Sequence, residues 1–217
     1  MKSIKQKIYH KLINNEVRYN TKSLVRYAKN SNKITGNLNT NKISQLEQLK
    51  NQINSIKNCD LKKNATNLVF ADGNHNSSIM IIGEGPGANE DKEGKPFVGR
   101  AGKLLDKMLE AIKLNRKNVY ISNVVNFRPP MNRKPSDKEI ARYLPFLNKH
   151  IEIINPKILL LLGSTALNAL IGNEEVISKA RGKWINKKIG STSFEVIASF
   201  HPAFLMRQPE QKKFAWE

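Results

Sequence analysis

What this chain lacks narrows its chemistry first. Cys59 is the only cysteine in 217 residues, so neither an internal disulfide nor a zinc site built from cysteines can form. Acidic side chains are about half as frequent as basic ones, 18 against 37, which leaves a formal charge of +19. A molecule so charged dwells near polyanions, with nucleic acid the first candidate and an anionic membrane the second. No apolar run approaches the length of a membrane-spanning helix, and the N-terminus lacks the apolar stretch of a secretory signal. The basic, acid-poor start has little Arg and much Asn and Ile, unlike an organelle transit peptide. These absences predict a soluble cytoplasmic protein with no membrane partner.

Residues 1–57 hold twelve Lys or Arg against two Glu. We read them as a basic N-terminal extension, partly helical and partly flexible. A short helix opens it, a mobile linker follows through "NSNKITGNLNTN", and a second helix runs from about Ile43 to Lys57. Ile43, Leu46, Leu49, Ile53 and Ile56 recur there at helical spacing. A solvated tail and an auxiliary DNA-gripping arm are equally open readings of this extension.

Residues 58–217 read as one α/β domain. Four apolar, β-branched runs, "SIMIIG" (78–83), "NVYISNVV" (118–125), "KILLLLG" (157–163) and "FEVIASF" (194–200), are nearly continuous rather than alternating. That is the pattern of strands buried on both faces of a parallel sheet. Helical segments lie between them: Gly99 to Leu114, Ser136 to Ile154 with Ser136 and Glu139 as a capping box, and Ser164 to Ile171. The expected architecture is a three-layer α/β/α sandwich around a short, mainly parallel four-stranded sheet, with a ligand at the carboxyl ends of the strands.

Chemistry-bearing residues sit at those ends. Glu84 follows the first strand, Asn123 lies late in the second with Asn132 in the loop beyond, Gly163-Ser164 follows the third, and His201 follows the fourth. The loop "GEGPGANEDKEGKPFVGRAG" is glycine-rich yet carries four acids, Glu84, Glu90, Asp91 and Glu93. Its G-x-G-x-G spacing misses the dinucleotide fingerprint, and Gly94-Lys95 is followed by Pro96 where a P-loop needs Ser or Thr. The glycines therefore suit close approach of backbone to a flat ligand, with peptide N–H groups such as that of Gly85 available for its oxygens. No G-x-S-x-G elbow supports a serine hydrolase. "NFRPPMNRKPSD" mixes Arg128, Arg133 and Lys134 with three prolines, a stiff basic loop suited to backbone phosphates, or else an ordinary surface charge run. A histidine placed like His201 is, taken alone, more often structural than catalytic.

In this order and spacing, "IMIIGEGPGANEDKEGKPFVGRAGKLLDKML", "VYISNVVNFRPPMNR" and "SFHPAFL" resemble the family 4 uracil-DNA glycosylases, over about Cys59 to Glu217. The resemblance implies the glycosylase α/β/α fold and hydrolytic removal of a flipped uracil from DNA, leaving an abasic site. It implies that Phe97 stacks on the uracil face, Asn123 reads N3–H and O4, Glu90 guards C5 against the thymine methyl, and His201 donates to O2 as the base leaves. Glu84 and Asn132 match the residues that position water and support the cationic sugar. "HPAFLMR" matches the loop that enters the duplex, with Leu205 and Met206 as wedges and Arg207 as a phosphate contact; for Leu205, core packing after a strand is the alternative.

One departure stands out. The family carries four cysteines on an iron–sulfur cluster, but here Cys59 is joined by Lys62, Phe127 and Tyr143, so no cluster is expected and Phe127 and Tyr143 should pack around Cys59. The expected enzyme is a monofunctional glycosylase, a monomer acting on uracil-containing DNA. The alternatives are a catalytically silent module for uracil or abasic sites and a broader deaminated-base glycosylase; a relative of the latter kind would lack the acid at Glu84.

Overall fold

The computed structural model describes residues 31–172 and 176–216. Among these described residues six strands form, in chain order: β1 (Asp72–Gly73), β2 (Ile79–Gly83), β3 (Tyr120–Asn123), β4 (Ile158–Leu162), β5 (Trp184–Ile189) and β6 (Thr192–Ser199). The helices are α1 (Ser31–Asn54), α2 (Asp60–Asn64), α3 (Ala88–Glu93), α4 (Arg100–Ala111), α5 (Asp137–Ile154), α6 (Ser164–Leu170), α7 (Ile177–Ala180), α8 (Pro202–Arg207) and α9 (Lys212–Trp216).

The strands make one sheet in the order β1-β3-β2-β4-β6-β5. β3, β2, β4 and β6 are parallel, with Ile81 beside both Ile121 and Leu160. β1 and β5 flank them antiparallel. The four expected strands are thus the centre of a sheet of six. The edge strands were hidden for physical reasons. Asp72-Gly73 carries turn residues, and "WINKKI" mixes lysines into a strand only partly covered; β5 meets β6 through a tight turn at Gly190, φ +55°.

Alternation along each central strand sorts its side chains to two faces. Met80, Ile82, Leu159, Leu161, Val196 and Ala198 join a core with α1, α5 and α6. Ile79, Ile81, Ile158, Leu162 and Ile197 join a second core with Leu105 and Leu109 of α4. Helices therefore cover both faces, which is the three-layer arrangement. On α5 the buried stripe is Tyr143, Leu147, His150, Ile151 and Ile154; each large apolar side chain removed from water there contributes roughly 1.5–3 kcal/mol. Its start is fixed as expected: Ser136 Oγ accepts from Glu139 N at 3.3 Å, and Glu139 Oε2 accepts from Ser136 N at 2.7 Å.

The extension differs from expectation. The stretch read as a linker is helical from Ser31 onward, continuous with the helix expected near Ile43. Leu46, Leu49 and Ile53 anchor the C-terminal half in the core. Once that half is nucleated by packing, adding turns through weak helix formers is cheaper than starting a helix anew. The short helix expected at the very start lies outside the described residues. Although the boundary at residue 57 separates α1 from α2, the end of α1 is built into the domain's own core. No helix among the described residues is long and apolar enough to cross a membrane.

From β2 the chain adds β3 on one side, then crosses to β4 on the other. Connections diverge at this reversal and leave a crevice at the carboxyl ends of the strands.

Candidate active site

That crevice is a cavity of about 520 Å³. Each central strand delivers residues to it: Glu84 and Gly85 after β2, Asn123 at the end of β3, Leu162 and Gly163 at β4, and Phe200 and His201 after β6. Glu90, Phe97, Asn132, Arg133 and Arg207 complete the predicted set within it. Arg128, Lys134, Leu205 and Met206 do not line it.

Glu84 stands half-buried just beyond β2. Thr165, 1% exposed at the start of α6, donates its hydroxyl to Glu84 Oε2. One carboxylate oxygen is thereby tied to the fold and the rotamer is set, so the group is held where it can orient a water molecule. Sequence reasoning missed Thr165, because only the crossover from β2 to β4 makes two residues 81 positions apart neighbours.

His201 has a defined tautomer. Its Nδ1 accepts from Ala203 N at 3.1 Å, so in the neutral ring Nε2 carries the proton and is the donor. Burial, reinforced by the Arg207 charge and opposed by Glu90, pushes its pKa down to about 4. At neutral pH the ring is an uncharged donor. Gly163, at φ +89°, lets it approach: a Cβ there would lie 3.0 Å from His201 Cβ.

Phe97 forms the adjoining wall, its ring 5.6 Å from that of His201 and inclined by 29°. It sits at φ +55°, unusual for a side chain of this size. Arg116 holds that turn, donating to Phe97 O, to Pro96 O at 3.1 Å and to Asp72 Oδ2 at 2.7 Å, while its Nε reaches Asp106 Oδ1 at 2.9 Å. On the strand side, a Cβ at Gly83 would stand 2.5 Å from both the Phe97 ring and Asn123 Oδ1. Only glycine lets the aromatic and the amide converge there. Asn123 itself is 3% exposed. Arg116, too, carries no local signature in the sequence.

Glu90 lines the cavity, and its carboxylate accepts from Gly87 N at 3.1 Å and Gly99 N at 2.7 Å. It ties the two ends of the acidic loop together. Two acids of that loop therefore have internal duties, since Asp91, 4% exposed, accepts from Thr66 N at 2.8 Å and Asn67 N at 3.1 Å.

At the mouth, Asn132 is exposed, and its Oδ1 accepts from Arg128 Nε at 2.7 Å. Arg133 forks onto Glu139 at 2.7 and 2.8 Å. Lys134 and Arg207 are exposed and Met206 is half-buried. Leu205 departs from the wedge reading: it is 1% exposed, packed beneath α8, because its position on that short helix faces inward. In this structure it is one of the two buried residues of α8.

Of the positions matched to cluster ligands, Tyr143 is fully buried and its hydroxyl lies 3.4 Å from Cys59 Sγ. Phe127, 3% exposed, belongs to the same core, and Lys62 donates outward to Asn54 O. A ring and a phenol fill the space; one thiol remains as a soft donor. This set does not fit an iron–sulfur cluster.

A three-layer α/β/α domain with a cavity at its switch point, walled by an aromatic, an amide, a carboxylate and a neutral imidazole, defines a class. The family model of the Uracil DNA glycosylase superfamily matches residues 70–217, and the chain belongs to that superfamily. Within it, the chain is 43% identical to a type-4 uracil-DNA glycosylase of Thermotoga maritima, over 75% of this chain and 83% of the relative. It is 41% identical to a type-4 uracil-DNA glycosylase of Sulfurisphaera tokodaii over 81% and 82%, and 37% identical to one of Archaeoglobus fulgidus over 79% and 88%.

Proposed function

We propose that this protein excises uracil from DNA by hydrolysing the N-glycosidic bond, leaving an abasic site for base excision repair. The observation that carries this reading is the convergence of Glu84, Asn123, Phe97 and a neutral His201 on one cavity. A flipped uracil stacks on Phe97, which holds any flat base but selects none. Selection falls to Asn123, whose amide accepts from N3–H and donates to O4; cytosine presents the reverse pattern and would leave buried groups unpaired. Gly85 offers backbone to the same edge, and Glu90, braced by Gly87 and Gly99, guards C5.

In the reaction the C1′–N1 bond breaks and its electron pair leaves with the base. Negative charge gathers at uracil O2, where the Nε2–H of His201 donates; the sugar becomes cationic beside Glu84. Glu84 orients a water whose oxygen bonds to C1′ and whose proton the carboxylate takes, with Asn132 supporting it. Arg128, Arg133, Lys134 and Arg207 supply positive charge for the DNA backbone, and Met206 is the wedge that α8 presents. The +19 charge favours the same polyanion. We read the protein as a cytoplasmic monomer whose basic extension adds phosphate contacts. The acid at Glu84 speaks against the broader deaminated-base reading, and the intact set of side chains against a silent module.

We propose further that it works without an iron–sulfur cluster, on the donor set around Cys59. The test is an end-labelled oligonucleotide carrying one uracil, followed by alkaline cleavage. Wild type should cut it at the uracil, and Glu84→Gln should be slower by roughly 10²–10⁴-fold. An uncut oligonucleotide with wild type refutes the enzyme reading. The same preparation should contain no stoichiometric iron or acid-labile sulfide; finding both would overturn the cluster proposal alone.

A further inference from the structure

Among the described residues three large apolar side chains are exposed: Ile43 at 47%, Val176 at 54% and Met131 at 92%. Met131 lies between Pro129 and Asn132-Arg133, all three of which line the cavity, so it stands at the cavity mouth. A lone exposed methionine is unremarkable on a surface. This one is held out by a braced and strained turn. Met131 and Asn132 both adopt left-handed backbone, φ +52° and +56°, a conformation that asparagine visits readily but that an unbranched apolar side chain such as methionine rarely adopts.

Several contacts sustain that turn. Asn132 N donates to Pro129 O and Arg133 N to Pro130 O, both at 3.1 Å. Arg128 grips Asn132 Oδ1, and Arg133 is forked onto Glu139 of the α5 capping box. Two prolines remove backbone freedom on one side. The result is a stiff ridge that keeps a long unbranched side chain in water, flanked by Arg128, Arg133 and Lys134.

We propose that Met131 is a second wedge, which enters the base stack of duplex DNA beside the flipped nucleotide, on a different loop of the mouth from Met206. This rests on the glycosylase reading above. Its occupant is the interior of a DNA duplex: beside a phosphate backbone that the flanking cations meet, the face of an unstacked base is the broad apolar surface able to bury a long side chain. A flexible thioether suits this, since it can fill an irregular gap left by an extruded base. The rigid turn means that no ordering of the loop opposes insertion.

Uracil excision by wild type, Met131→Ala and Met131→Leu is to be compared on one oligonucleotide, single-stranded and paired with a complement. A wedge matters only where a stack must be opened. Met131→Ala should therefore lose roughly tenfold in kcat/KM on duplex and stay within about twofold of wild type on the single strand, while Met131→Leu keeps duplex activity. A 2-aminopurine placed beside the uracil should brighten less on binding Met131→Ala than on binding wild type. With wild type active, equal losses on both substrates, or no loss on either, overturn the wedge and leave the glycosylase reading intact. Inactivity of wild type on both would overturn that reading and the wedge with it.

Discussion

Two regions of this molecule answer the same family pattern differently. At the carboxyl ends of β2, β3 and β6, Glu84, Asn123 and His201 stand at the matched positions and meet in one cavity. Around Cys59, three of four matched positions hold Lys62, Phe127 and Tyr143 instead, and a ring and a phenol occupy the space. The difference teaches what each region must supply. The cavity needs particular atoms at particular points, because a proton donor or a carboxylate has no hydrocarbon equivalent. The Cys59 region is filled instead by buried side chains, Tyr143 against Cys59 and Phe127 in the same core. The sharpest way to break the comparison is to exchange the effects. Tyr143→Ala should lower unfolding free energy by about 3–5 kcal/mol while the folded fraction keeps a kcat near that of wild type. Glu84→Gln should do the reverse. Loss of catalysis in folded Tyr143→Ala would show that the two regions are coupled.

Two histidines sharpen the contrast. His150 is 2% exposed on α5, two turns beyond Tyr143, stacked 4.5 Å from the Phe70 ring and bonded to Tyr120 Oη at 2.8 Å. Burial pushes its pKa down to about 3, as burial aided by Arg207 lowers that of His201 to about 4. Both fold as neutral rings, so the unfolded chain binds more protons on acidification. Their contribution is full above about pH 6.5 and is lost as pH falls toward these folded-state values. Denaturant titrations between pH 7 and pH 4 should show stability falling by up to about 1.4 kcal/mol per pH unit for each histidine. His150→Phe should flatten that slope and leave excision rates alone, whereas His201→Ala should cost roughly 10²–10³ in kcat. An unchanged slope in His150→Phe would mean that this ring does not titrate with unfolding.

What the sequence made legible follows from where information is local. The four central strands announced themselves because they are buried on both faces, and the start of α5 because its capping box is written in four residues. Glu84, Asn123 and His201 were legible because each ends such a strand. The edge strands were not, since β5 is wetted enough to carry lysines and β1 is two residues long. The reach of α1 back to Ser31 was hidden because its polar half takes its conformation from packing further along. Leu205 was ambiguous because the facing of one residue on a six-residue helix depends on how that helix docks. Thr165 and Arg116 act through contacts between distant segments, which no periodicity records.

Arg116 supplies the smallest expected effect and the finest distinction within the cavity. It does not line the active-site cavity, yet its contacts with Pro96 O and Phe97 O fix the turn that presents the stacking ring. If catalysis resides in Glu84 and His201 and Phe97 serves binding, then disturbing Arg116 should weaken binding and spare the chemical step. Arg116→Met keeps the stem but leaves two carbonyls and two carboxylates without their donor. At about 1 kcal/mol for a turn no longer held, KM for uracil-DNA should rise roughly fivefold, inhibition by free uracil should weaken in parallel, and kcat should stay within about twofold. Arg116→Lys, which retains the charge but not the planar fork, should recover part of the KM. A merely structural arginine would lower thermal stability without moving the ratio of KM to kcat. A fall in kcat at constant KM would instead tie the Phe97 turn to the reacting bond, since the ring stacks against His201 at 5.6 Å and its displacement would then be felt at the donor.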